Sequence, residues 1–140
     1  MKILENVYNQ LLRCSKVPPE CGGIMGSRDG NILSEIVFDE GVSASNNCTY
    51  SPNIIYLNKI LTEWAVNEIR FEGVFHTHAP QWSTLSKQDE NYIIYIYSTM
   101  PSYIKCLYFP IVFPGIGVRS YKAVRVCNEI KVVDDDVEII

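Results

Sequence analysis

Phe71-Glu72-Gly73-Val74-Phe75-His76-Thr77-His78-Ala79-Pro80-Gln81-Trp82-Ser83-Thr84-Leu85-Ser86-Lys87-Gln88-Asp89 is the stretch on which the fold turns. Phe71 to His78 reads as a strand, Ala79 to Leu85 as a loop containing Pro80 and Trp82, and a helix begins near Ser86 and stops before Pro101. His76 and His78 are the chain's two histidines. In a strand, residues two apart project from the same face, so the two imidazoles stand side by side, as two ligands of one metal would. A catalytic zinc usually takes three protein ligands and keeps a fourth position open. Asp89, in the first turn of the helix, is the natural third ligand, because a loop this short folds the helix start back over the strand end. Ser86 and Asp89 also fit the S-x-x-D pattern that caps a helix, a role compatible with the hydroxyl facing a cleft.

Upstream, Ile3, Leu4, Val7, Tyr8, Leu11 and Leu12 recur at helical spacing and predict an amphipathic helix over 2–15, ended by Pro18-Pro19. Residues 20–27 form a short apolar strand punctuated by glycines. Asp29-Gly30 signals a hairpin, with Asn31 to Asp39 returning. Residues 40–52 read as a loop. Pro52 then opens a helix with Ile54, Leu57, Ile60, Leu61 and Trp64 along one face. Downstream, Tyr103 to Phe113, Val118 to Val126 and Lys131 to Ile139 predict three strands, separated by Gly115 and Gly117 and by Cys127-Asn128. Helices interleaved with strands, then a β meander, predict an α/β (α+β) fold with a single mixed sheet flanked by helices.

The 140 residues, 47% hydrophobic and 20% charged, suit one domain over 1–140 with a full core. Neither repeat nor linker interrupts them. A net charge of −4, with no Lys/Arg cluster, argues against nucleic acid or an anionic membrane as partner. No apolar run approaches the roughly 20 residues of a membrane span, and no signal peptide is legible, so the cytoplasm is the expected compartment. Cys14, Cys21, Cys48, Cys106 and Cys127 are odd in number and lack a C-x-x-C pair. They read as mostly buried, reduced thiols rather than a disulfide framework.

His76-Thr77-His78, seven residues, Ser86, two residues and Asp89 reproduce H-[ST]-H-x7-S-x2-D, and the chain thereby resembles the JAMM (MPN-plus, Mov34/MPN-type) zinc metalloproteases. Glu20-Cys21-Gly22-Gly23-Ile24-Met25-Gly26 is similar to that family's upstream E-x-x-G-x-x-x-G segment. The order of elements also matches, so the resemblance spans roughly residues 1–100. Many members carry Pro directly after the second His and just before the Ser, where this chain has Ala79-Pro80 and Leu85. The chain is too compact for the insertions of eukaryotic members and resembles the short prokaryotic stand-alone type.

The resemblance implies a cytidine-deaminase-like JAMM/MPN architecture, zinc held by His76, His78 and Asp89, Glu20 as general base and Ser86 as oxyanion donor. From the residues alone, Glu72, two strand repeats before His76, and Glu90, beside Asp89, are also candidate bases. No covalent intermediate is needed, and alternation points Cys21 away from Glu20 into the core. The implied substrate is an amide or isopeptide after the Gly-rich C-terminal tail of a small ubiquitin-like or sulfur-carrier protein, lying extended beside a strand edge. A plain peptide, as from cell wall, is a third substrate, disfavoured by the acidic charge and expected cytoplasm. Trp82, from its place in the loop, is a candidate wall of the channel. A non-catalytic MPN-type binding scaffold is the alternative. A nucleobase deaminase, which needs H-x-E and a later P-C-x-x-C, is excluded because neither is present.

Overall fold

In a computed structural model, residues 1–15, 17, 19–42 and 49–140 are described. Part of the loop expected over 40–52, Pro18 of the expected helix stop and the thiol Cys48 lie outside those residues.

The fold is α+β. Seven strands form one mixed sheet: β2 (Gly22–Ser27), β3 (Glu35–Asp39), β4 (Arg70–Thr77), β5 (Cys106–Tyr108), β6 (Ile111–Phe113), β7 (Gly117–Val126) and β8 (Glu129–Asp135). β3 lies at one end and β2 beside it. β4 follows, then β5 and β6 as successive pieces of one line, then β7 and β8. β4 runs parallel to β5 and β6, while the other pairings are antiparallel. The expected strand over 103–113 is therefore two strands, broken at Phe109-Pro110, where proline has no N–H to offer the ladder. Cys127 and Asn128 both have positive φ, 50° and 65°, the requirement of a tight two-residue hairpin between β7 and β8.

Helix α2 (Ile54–Val66) and helix α3 (Lys87–Ser98) cover one face of the sheet. Leu57 and Trp64 of α2 and Ile93 and Tyr97 of α3 pack with Ile24, Val74, Leu107, Phe109 and Ala123. The apolar stripe foreseen on α2 is thus real, although Ile54 at its start is exposed. Asn53 caps α2 by accepting from Tyr56 N–H, so Pro52 precedes the cap instead of opening the first turn. On the opposite face, Val7 and Leu11 of α1 (Glu5–Leu11) pack on Met25, Phe75 and Val112.

The helix expected over 2–15 is shorter than its periodicity suggests. Lys2–Ile3 forms β1, which pairs in parallel with β9 (Glu138–Ile139), at the far end of the chain. Leu4 N–H donates to Leu33 O at 3.1 Å and Leu33 N–H to Lys2 O at 2.9 Å. These distant partners claim the backbone groups that a first helical turn would have used, and local spacing carries no information about them. For the same reason the strand expected over 131–139 ends at Asp135 and resumes as β9.

The strand expected from Asn31 begins only at Glu35, because Asp29 extends the turn. Its Oδ1 accepts from Ser27 Oγ at 2.9 Å, Asn31 N–H at 2.8 Å and Ile32 N–H at 2.9 Å. The Ile32 and Asn31 amides, with the Ser27 hydroxyl, hold the Asp29 carboxyl below its ordinary value. A carboxyl with a lower pKa folded than unfolded contributes stability above its unfolded pKa of about 3.9, and loses it as pH falls through the folded value. Asp29→Ala should therefore lower the urea midpoint at neutral pH, with the deficit narrowing as the pH falls below the unfolded carboxyl pKa of about 3.9. A deficit that persists unchanged in acid would assign the loss to packing instead.

No helix among the described residues is long and apolar enough to cross a membrane.

Candidate metal centre

Strand register assembles the site. β2 and β4 are antiparallel with Gly22 opposite His76. The pairing continues past the strand ends: Thr77 N–H donates to Cys21 O at 2.8 Å, and Cys21 N–H donates to Thr77 Oγ1 at 3.0 Å. Glu20, two residues before Gly22, shares the face of Gly22 and lies close enough to His76 and His78 for both to act on its carboxyl. Directly opposed residues share a face, with Cβ atoms about 4.5–5.5 Å apart. His76, His78 and Glu20 thus gather on the face covered by α3. Thr77 between the histidines is fully buried and bolts this corner together.

Helix α3 supplies Asp89. Ser86 is its N-cap: Ser86 Oγ accepts Asp89 N–H at 3.0 Å, and Asp89 Oδ2 accepts Ser86 N–H at 2.8 Å, a reciprocal capping box. The cap fixes the aspartate toward the strand end. Asp89 Oδ1 lies 3.4 Å from His76 Nε2, and Oδ2 lies 3.3 Å from His78 Nε2. Among the described residues, His76, His78 and Asp89 form a group whose donor atoms all lie within 4.8 Å of one another.

The donor chemistry fits a metal cation. His78 Nδ1 lies 2.7 Å from Trp82 O. A carbonyl only accepts, so in the neutral ring the proton sits on Nδ1 and the lone pair on Nε2, and only the imidazolium has an Nε2–H to give Asp89. That Nε2 lies 2.9 Å from His76 Nε2. Two lone pairs facing each other this closely, beside a carboxylate, are stabilised by a shared cation or by a proton on His76. A carbonyl that orients a ligating imidazole through its other nitrogen is the usual outer support of such sites. The group formed by these three side chains can therefore hold a metal ion.

Burial sets the electrostatics. It pushes the Asp89 carboxyl up, but the bonds from His76 and His78 outweigh it and leave the group well below the usual carboxylate range. It pulls His78 down, yet Asp89, the Trp82 carbonyl and Glu20 together hold the imidazole above its ordinary value. Burial lifts Glu20 above its ordinary value against the pull of both histidines.

Glu20 lies in one cleft with His76 and Asp89. Its Oε2 accepts Tyr50 N–H at 3.2 Å, and Tyr50 is anchored in turn by its hydroxyl, which donates to Asp39 Oδ2 at 2.7 Å. Asp39 also accepts Asn53 N–H at 2.8 Å and Gly41 N–H at 3.0 Å, so a buried carboxylate organises the segment that holds Glu20. Gly22 allows the approach, since a Cβ there would lie 2.5 Å from the Tyr50 ring. Sequence reading missed Tyr50 and Asp39, and no local signal marks either.

Other expectations are corrected. Glu72 is not on the face of His76 and His78: the register slips between Met25, opposite Gly73, and Gly26, opposite Phe71, leaving Glu72 as the extra residue of a bulge. Gly73 permits this, lying so near Tyr108 that a Cβ would reach 1.8 Å from its carbonyl oxygen. Phe71 and Val74 consequently pack in one cluster, and Glu72 is buried beside Arg70 Nε at 2.8 Å. Glu90 turns outward to Lys87 at 3.7 Å. Trp82 is 65% exposed and does not line the cleft; its backbone carbonyl, not its ring, serves the site. Cys21 does point away from Glu20, but into a half-open groove shared with Cys14 rather than the core. Cys14 and Cys106 are likewise only half-buried, and Cys127 is exposed. Thiols near chain turns and strand ends lack the second layer that would cover them.

Comparison with protein-family models and with curated proteins returns no match. Among solved structures, the fold is similar to that of a Desulfitobacterium hafniense protein, with a TM-score of 0.68 at 13% identity, covering 99% of this chain and 92% of that one. It is also similar to a Salinibacter ruber protein, with a TM-score of 0.55 at 14% identity, covering 100% and 92%. These likenesses show the fold alone.

Proposed function

We propose that the chain is a zinc-dependent amide hydrolase of the JAMM type, with His76, His78 and Asp89 as metal ligands. Its proposed substrate is an amide or isopeptide after the Gly-rich tail of a small ubiquitin-like or sulfur-carrier protein. The observation that carries the reading is the convergence of the three donors within 4.8 Å, with Glu20 in the same cleft as His76 and Asp89. A binding scaffold without chemistry has no use for a carboxylate held in the same cleft as that group.

Zinc bound there would supply Lewis acidity toward water and toward the substrate carbonyl. Glu20, its carboxyl raised by burial, takes a proton from the attacking water and passes it to the leaving amine. The Tyr50 N–H holds one Glu20 oxygen still and leaves the other free to work. Ser86 Oγ accepts from Asp89 N–H, so its own hydroxyl proton remains available to the oxyanion that develops on the carbonyl. Trp82 O keeps the His78 proton on the far nitrogen.

The test is hydrolysis of a Gly-Gly-ended β-grasp protein carrying an amide-linked amino acid at its C-terminus. Cleavage should disappear on chelation and return with added zinc. Cleavage indifferent to chelation, or none by a zinc-loaded chain against either class of carrier, would remove this substrate assignment.

A further inference from the structure

Beside the candidate metal group lies a cleft of ≈ 480 Å³. Glu20, His76 and Asp89 line it. Val74, Ile93 and Phe109, 7%, 2% and 2% exposed, line the same cleft, with half-buried Tyr50 and Tyr92. The arrangement follows from backbone spacing. Val74 precedes His76 by two residues on β4 and shares its face. Tyr92 and Ile93 follow Asp89 by three and four residues on α3 and share its face. The elements that position the ligands therefore also place apolar surface next to them, in fixed geometry.

Clefts that take small organic groups measure about 300–1,000 Å³ and are mostly apolar, with a few polar groups that orient the ligand. This cleft has that size and a mostly apolar surface, with Thr49, Ser51, Gln88 and Asn91 adding polar groups to its lining. A Gly-Gly segment brings no side chain to fill it.

We propose that the cleft receives a large apolar side chain, aromatic or leucine-like, on a residue flanking the scissile amide. The inference rests on the hydrolase reading and narrows its substrates to amides with a bulky apolar residue on one side of the bond. Pocket filling of this kind discriminates by about 10–200-fold for each methylene, so phenylalanine should exceed glycine by at least about a hundredfold.

Two measurements test it. In metal-free protein, N-acetyl-phenylalanine amide should shift the methyl signals of Val74 and Ile93 in NMR spectra, and N-acetyl-glycine amide should not at equal concentration. Tyr92→Ala, checked for a dispersed spectrum, should weaken the first by about tenfold or more. In zinc-loaded protein, dipeptide amides with phenylalanine or glycine on either side of the cut bond should differ in kcat/KM by about a hundredfold at one side. Equal responses to the two probes, shifts confined to another surface, or glycine preferred on both sides would overturn the proposal. A chain that binds the phenylalanine probe but no zinc would keep the pocket and remove the hydrolase reading. Zinc binding without any phenylalanine preference would do the reverse.

Discussion

The His78→Ala variant should come through purification and zinc reconstitution nearly metal-free, while the native chain carries about one zinc per molecule. His78 is the most enclosed of the three proposed ligands, 4% exposed, and its ring is already oriented by Trp82 O at 2.7 Å. A ligand held that way spends little conformational freedom on binding. Disturbing even an outer partner of a metal ligand typically costs about 10–100-fold in affinity, so removing the ligand itself should cost more. The remaining His76 and Asp89 provide two donors, fewer than the three a catalytic zinc site uses. Inductively coupled plasma mass spectrometry on both proteins decides the matter. Zinc retained by the variant would place the metal elsewhere, and zinc absent from both would end the catalytic reading.

Glu20→Gln should separate binding from chemistry. The amide side chain keeps the shape of the carboxyl and can still accept the Tyr50 N–H, so fold and zinc content should match the native chain. It cannot take up a proton, and loss of a positioned general acid/base typically lowers turnover by about 10²–10⁴-fold. The expected result is kcat down by that range with KM little changed, together with an undiminished metal stoichiometry. Native turnover in the variant would transfer the base role away from Glu20; Glu72 and Glu90 are already turned away from the cleft.

How much of this was legible beforehand depends on how far each feature reaches along the chain. His76 and His78 share a face because successive residues in any strand alternate. Asp89 follows a short loop into a first helical turn, and Ser86 caps that turn. All four positions fall within fourteen residues, and local geometry suffices to read them together. The α2 stripe and the Asp29-Gly30 turn were legible for the same reason. Where local reading failed, a distant partner intervened. Lys2–Ile3 left the expected helix to pair with Glu138–Ile139. Glu72 left the histidine face because a bulge against β2, permitted by Gly73, shifted the register.

By itself, then, the sequence determined the grouping of His76, His78 and Asp89, the helix cap beside it and the α+β class. These follow from the strand period of two, the helix period of 3.6 and the loop lengths between them. Only the tertiary structure decided that Glu20 shares a cleft with His76 and Asp89, that Tyr50 and Asp39 hold it there, and that apolar side chains line the same cleft. Each of those facts depends on the register between strands some fifty residues apart in the chain, or on a helix laid over a sheet. Such pairings are selected by burial of the whole core, and no window of local sequence contains them.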